Sequence, residues 1–282
     1  MAALKILILT DFSDLSKVAI NYGLSMAGKL EAEYTILNIV RLDGVPKSHL
    51  KMKQIENSLL AIAEEEGKNL IEESIKQTKS KAKVTFKAIK SHKVADTVGR
   101  YAEANKINLI IMGSRGASSF KKVVLGGTTV SVIDVCDVPV LAIPEKAEFT
   151  NFKHVVYASD LKNVQKELDT IIPFARIFGS TVHMVHVVEA IDKEVDARRE
   201  EASVLVQKAD YAKISLEVVI DDNVPVAIDK YLKVKKGDVL TTFTHELNLF
   251  EKIFARSVTR KLAYQGIIPL LTFKRKSVKP VK

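Results

Sequence analysis

The sequence predicts an α/β protein made of two tandem αβα sandwich domains, each an open, mostly parallel five-stranded sheet. Three observations carry that expectation. Lys5 to Thr10 and Tyr34 to Val40 are near-continuous apolar runs, the form strands take when both faces of a parallel sheet are covered. Such runs alternate with segments of helical period, so each crossover lays a helix on a sheet face. The order then repeats: Val138 to Ile143, with Pro139, matches Ile268 to Phe273, with Pro269, at an offset of 130 residues. A chain of 282 residues is long for one domain and sufficient for two of about 140, each able to bury its own core.

In the first half, Val18, Ala19, Tyr22, Met26, Ala27 and Leu30 recur at helical spacing between the first two strands. A long helix follows, then a strand over Val84 to Ile89. Val94, Ala95, Val98, Tyr101 and Ala102 mark the next helix, and Leu109 to Met112 a fourth strand. Thr129, Val132, Ile133 and Cys136 form the buried stripe of the last helix, and Val138 to Ile143 closes the sheet. The second half repeats this order as strand His154 to Ala158, helix to about Phe178, strand Thr181 to Val188, helix through about Ala209, and strand Ile214 to Ile220. Helix Val224 to Lys233, strand Val239 to Thr242, helix Phe250 to Ala263 and strand Ile268 to Phe273 complete it. Pro144-Glu145-Lys146-Ala147-Glu148 interrupts the apolar pattern, so the domains are expected at 1–147 and 148–282.

Composition narrows the function classes. An apolar share of 47% with 27% charged residues is that of a soluble globular protein, and no apolar run reaches the ~18 residues a bilayer span needs. Met1-Ala2-Ala3-Leu4-Lys5 leads directly into a strand-like run rather than a signal peptide, so a cytoplasmic protein with no membrane partner is expected. One cysteine, Cys136, excludes an intramolecular disulfide framework and fits a reducing compartment. The net charge of +9 divides evenly: residues 1–147 carry 21 Lys+Arg against 16 Asp+Glu, the remainder 22 against 18. The densest basic stretch (Lys76, Lys79, Lys81, Lys83, Lys87, Lys90) holds a single aromatic, Phe86, which favours a solvated face over a nucleic-acid footprint.

Ligands of open α/β sheets bind beyond the carboxyl ends of the strands, where the strand order switches direction. Three first-half strands deliver candidates there: Asp11-Phe12-Ser13, Val40-Arg41 and Gly113-Ser114-Arg115-Gly116. Gly126-Gly127-Thr128-Thr129 opens the following helix, whose unpaired N–H groups and positive dipole end attract an anion. Glycines allow backbone to approach phosphate oxygens with no Cβ in the way. The Thr128 and Thr129 hydroxyls add donors, and Asp11 suits a ribose hydroxyl or an adenine amino group. Ser114 is expected to be exposed in the glycine loop, chiefly as a cap, and Arg115 to touch a phosphate or a partner.

Gly-x-x-Gly, nine residues and then Gly, after a strand ending in Met112 and together with Thr10-Asp11-Phe12-Ser13, resembles the universal stress protein family. The resemblance covers nearly the whole chain as two tandem copies. It implies a Rossmann-like sandwich of the adenine nucleotide alpha hydrolase type that binds ATP in some members and no nucleotide in others. Carried over by position, Asp11 and Val40 would hold the adenosine, the backbone of Val40 reading the adenine. Gly113, Gly116, Gly126, Gly127 and Thr128 would line the phosphates of ATP, with or without magnesium, and Met112 and Arg115 would belong to the same ATP-binding set. The family pattern has Ser or Thr directly after the last glycine; here Gly127 stands there, and a lost hydroxyl donor costs about 1 kcal/mol, less if Thr128 substitutes. The resemblance also implies a dimer paired through the closing strands, which two tandem copies would reproduce within one chain, with a homodimer of the whole chain as a further option.

The second half keeps Asp160 and Val188 at matching strand ends but lacks the cradle. At the shared offset Phe243 replaces Gly113, Glu246 replaces Gly116, Arg256 replaces Gly126 and Ser257 replaces Gly127. That site is expected to be degenerate and empty. Glu246 and Arg256 either plug it as a pair or stand as two independent surface charges. No catalytic residue is assigned: Gly-x-x-x-x-Gly-Lys-Ser/Thr is absent, and the six histidines show no zinc spacing. His183 and His186, three apart in a strand, fall on opposite faces. Three readings compete: a stress-response module that binds ATP in the first half and acts through contacts with unidentified protein partners, a ligand-free scaffold, and a slow ATPase.

Overall fold

The computed structural model describes residues 3–41, 49–115, 125–188, 195–244 and 268–274. They divide into two compact units, Met1–Phe149 and Thr150–Lys282.

The first unit is strand β1 (Leu4–Thr10), α1 (Asp14–Ser25), β2 (Ala32–Val40), α2 (His49–Thr78), β3 (Lys83–Lys90), α3 (Val94–Ala104), β4 (Leu109–Gly113), α4 (Gly127–Val135) and β5 (Val140–Ile143). The strands are all parallel in the order β3-β2-β1-β4-β5. Ile6, Leu7, Ile8, Ile36, Leu37, Ile110 and Ile111 are at most 1% exposed, because helices cover both faces of the central strands. Edge strand β3 alternates exposed and half-buried residues, and its exposed positions include Lys83 and Lys87, charges that blunt an open sheet edge. Helix α2 approaches it closely at Gly67, where a Cβ would lie 2.4 Å from the Phe86 ring. The chain runs outward from β1 to β2 on one side and resumes at β4 on the other, so the strand order switches direction between β1 and β4.

The second unit is β6 (His154–Ala158), α5 (Val164–Phe178), β7 (Thr181–Val188), α6 (Val195–Lys208), β8 (Ile214–Ile220), α7 (Val224–Lys235), β9 (Val239–Thr244) and β10 (Leu270–Lys274). Its strands are parallel in the order β10-β9-β6-β7-β8. Register fixes the equivalences: Ile8 pairs with Ile36 and Ile111, and Tyr157 pairs with Met184 and Thr241. Gly113 lies beside Ile143 as Phe243 lies beside Phe273, the offset of 130 that the closing strands suggest. The expected helix Phe250 to Ala263 falls outside the described residues.

Both closing strands begin later than expected, at Val140 and Leu270 rather than Val138 and Ile268. Pro139 and Pro269 have no N–H to give a ladder, yet their carbonyls accept from the Ile110 and Leu240 amides at 2.9 and 3.0 Å. Among the described residues no helix is long and apolar enough to cross a membrane.

Candidate functional site

The turn from β1 into α1 is held by its own side chains. Thr10 Oγ1 accepts from the Phe12 amide at 3.0 Å and lies 2.9 Å from Ser16 Oγ. Phe12 sits at φ 61°, a left-handed conformation unusual for a residue with a Cβ. Asp11 is exposed, and its Oδ1 accepts from Ser13 N at 3.1 Å and Ser13 Oγ at 2.5 Å. Ser13 in turn caps α1, accepting from the Ser16 amide. Two residues past the end of β1's pairing, β2 reaches Val40, half-buried, whose carbonyl accepts from the Ser91 amide at 3.1 Å.

The glycine segment is pinned at both ends. Ser114 N–H donates to the Ile143 carbonyl at 2.7 Å, Gly126 N–H to the Ser114 carbonyl at 2.8 Å, and Thr129 Oγ1 to the Gly113 carbonyl at 3.1 Å. The start of α4 is thereby tied to the end of β4. Gly126 caps α4 from extended backbone with no side-chain hydrogen bond, and Gly127 and Thr128 are exposed. The N-cap residue thus contributes no side-chain acceptor to the backbone N–H groups of the first turn of α4. A Cβ on Gly113 would lie 2.9 Å from Leu15 Cγ and 3.2 Å from the Arg115 carbonyl, so the strand end fits only a residue without one. Met112 is buried below it. Arg115 reaches Glu145 at 2.9 Å.

Ser114 departs from expectation. It is 5% exposed rather than open to solvent, and its two backbone hydrogen bonds continue the β4 edge into the α4 cap. Gly116 lies outside the described residues, as do Glu246, Arg256 and Ser257.

The second unit rebuilds one half of this arrangement. Leu161 has φ 59°, its amide donates to Ser159 Oγ at 3.0 Å, and Lys162 N–H donates to Asp160 Oδ1 at 3.0 Å. The Val188 carbonyl accepts from the Asp221 amide at 3.1 Å, as Val40 accepts from Ser91. The β9 end differs: Phe243 is 5% exposed, stacked on Phe273 at 5.1 Å and edge-on to Tyr157 at 5.7 Å. Where the first unit has bare backbone, the second has an aromatic core.

His183 and His186 do have separate partners. His183 Nε2 lies 3.1 Å from His154 Nδ1, and its Nδ1 lies 3.3 Å from Ser215 Oγ. The ring centroids are 5.4 Å apart with planes 24° from parallel, which with that short N···N contact describes edge-to-edge hydrogen bonding. Burial first, then the His154 and Lys235 charges, holds His183 below the ordinary histidine range, against the opposing pull of Glu217. Lys235 pairs with Glu217 at 2.5 Å and keeps that carboxyl below its usual range. Among the described residues no group of three His, Cys, Asp or Glu is placed to hold a metal ion.

The sequence reading missed Ser16 and Asn38, which are 5% and 7% exposed. The available signal was polar residues set among buried apolar ones with no solvent face to explain them.

Comparison with known proteins bears on the first unit most directly. The model of the universal stress protein family matches residues 3–144. A universal stress protein of Methanocaldococcus jannaschii is 31% identical over 157 residues, covering 50% of this chain and 95% of that protein. Another from Bacillus subtilis is 26% identical over 148 residues, covering 49% and 97%. The crystal structure of a universal stress protein from Archaeoglobus fulgidus aligns with 98% of this chain and 100% of its own, at 20% identity and a TM-score of 0.69. That last likeness shows a shared fold through both units.

Proposed function

Because the chain belongs to the universal stress protein family, we propose that it is a cytoplasmic stress-response module whose first unit binds ATP, with or without magnesium, and acts through protein contacts. The observation that carries this reading is the tie between β4 and α4. It sets the end of β4 and the first turn of α4 side by side at the switch point, with exposed Asp11 on the neighbouring strand end. Backbone N–H groups there would take phosphate oxygens, Asp11 and the Val40 backbone the adenosine, and Arg115 would exchange Glu145 for phosphate. Gly116, Gly127 and Thr128 would complete the cradle.

The second unit does not bind nucleotide in this reading. Phe243 supports that: its ring is locked between Tyr157 and Phe273 at the position where the first unit needs no side chain. The partners in this reading are proteins, with a homodimer of the whole chain as a further option, and the nucleotide is retained rather than consumed.

Calorimetry with ATP on the intact chain and on Gly116→Glu tests the site. Heat abolished by the substitution is the expected result, with one nucleotide per chain. Heat unchanged by it removes the assigned pocket, and no heat with either protein leaves a ligand-free scaffold. Sustained phosphate release that stops in the variant would make the protein an ATPase.

A further inference from the structure

Asn38 is 7% exposed in a strand whose neighbouring residues Ile36 and Leu37 are apolar and buried. Packing alone would favour an apolar residue there, since a buried amide is costly unless its hydrogen bonds are made. Its Nδ2 donates to the Thr10 carbonyl at 2.9 Å, and Thr10 is both its register partner and the last residue of β1. That carbonyl belongs to the peptide joining Thr10 to Asp11, so the bond fixes the plane from which Asp11 leaves the sheet.

From there the hydrogen bonds run on in one direction. Ser16 Oγ donates to the Ser13 carbonyl at 2.8 Å. Each hydroxyl has one proton, so in the Thr10–Ser16 contact Thr10 is the donor. Thr10 Oγ1 then accepts from Phe12 N–H, and Ser13 closes on the Asp11 carboxylate.

The second unit repeats the device with different chemistry. His186 Nδ1 lies 2.8 Å from the Ser159 carbonyl, in the peptide joining Ser159 to Asp160. A carbonyl only accepts, so Nδ1 carries the proton. Asn Nδ2 and His Nδ1 are both bonded to Cγ and have the same reach. Two residues alike in little but a donor at that distance thus hold the same peptide ahead of the same aspartate.

We propose that Asn38 is a positioning residue for nucleotide binding: its amide clamps the Thr10–Asp11 peptide and so presents the Asp11 carboxylate to the ligand. The proposal rests on the reading that the first unit binds ATP.

The experiment is calorimetry with ATP on the intact wild-type chain, Asn38→Leu, Asn38→Asp and Asn38→His, with amide hydrogen exchange at Phe12 and Ser13 measured without nucleotide. Asn38→Asp keeps the shape and, measured at a pH where the carboxylate is ionised, loses the donor; it stands in if Asn38→Leu fails to fold. Donor-less variants are expected to bind about tenfold more weakly and to exchange those two amides faster, while Asn38→His restores both. Asp11→Ala is expected to weaken wild type but to add little in the Asn38→Leu background, a non-additivity that general loosening of the fold would not produce. ATP binding that is equally tight without the donor, or a histidine variant as weak as leucine, overturns the clamp and leaves the nucleotide reading standing. No heat from the wild-type chain overturns both.

Discussion

Adding one methyl group to Gly113 tests the claim that the β4 end must be bare. In Gly113→Ala the new Cβ meets Leu15 Cγ at 2.9 Å and the Arg115 carbonyl at 3.2 Å. Carbon contacts are optimal at about 3.5–4.0 Å, so α1 or the strand end must shift by a sizeable fraction of an ångström. The neighbours have little freedom: the Gly113 carbonyl is bonded to Thr129, and Ser114 to Ile143 and Gly126. Overpacking of this kind costs about 1–3 kcal/mol, against about 0.4–1 kcal/mol gained by restricting the unfolded chain. The net expectation is a destabilisation of about 0.5–2 kcal/mol confined to the first unit, with loss of ATP binding. The chain has no tryptophan, so urea unfolding is followed by circular dichroism at 222 nm. Leu15→Ala in the Gly113→Ala background should recover part of the loss, giving a favourable coupling between the two sites. A variant as stable as wild type, or two substitutions that simply add, would refute the steric argument.

Two helical glycines should respond in opposite senses. Gly67→Ala gains about 1 kcal/mol of helix propensity but places its Cβ 2.4–2.5 Å from three atoms of the Phe86 ring, so it should lower stability. Gly99→Ala meets only Val135 Cγ1 at 3.3 Å and Cys136 Sγ at 3.7 Å, and should be neutral or stabilising by up to about 1 kcal/mol; urea midpoints decide both. Phe243→Ala removes the ring between Tyr157 and Phe273 and should cost the second unit about 3–5 kcal/mol without creating a second ATP site, as calorimetric stoichiometry would show. His183 titrates below the ordinary histidine range in the folded chain, so the unfolded chain takes its proton first. Stability from this group is complete above that range and falls as the pH drops through it. Unfolding at pH 7.5 and 5.5 should therefore show a larger loss for wild type than for His183→Asn, and equal losses would refute the assignment.

Periodicity by itself determined the fold class and the order of the described elements, because apolar spacing directly records which faces a strand or helix buries, and the matching Pro139 and Pro269 runs supplied the offset that sets Gly113 against Phe243. It also separated His183 from His186, since a strand alternates its faces. The Thr10-Asp11-Phe12-Ser13 turn and the Gly126 helix start were legible as residue types whose local conformations follow from their own backbones and hydroxyls. What Phe243 does with its ring was decided by register, which brought Phe273 and Tyr157 alongside from distant strands. His154 and His183, 29 residues apart, met because β6 and β7 pair with Val156 beside His183, and Asn38 acquired the Thr10 carbonyl in the same way. The limit is physical: a hydrogen bond between neighbouring strands depends on a register set by the summed burial of whole faces, and no local spacing records which polar atom that register will bring opposite which.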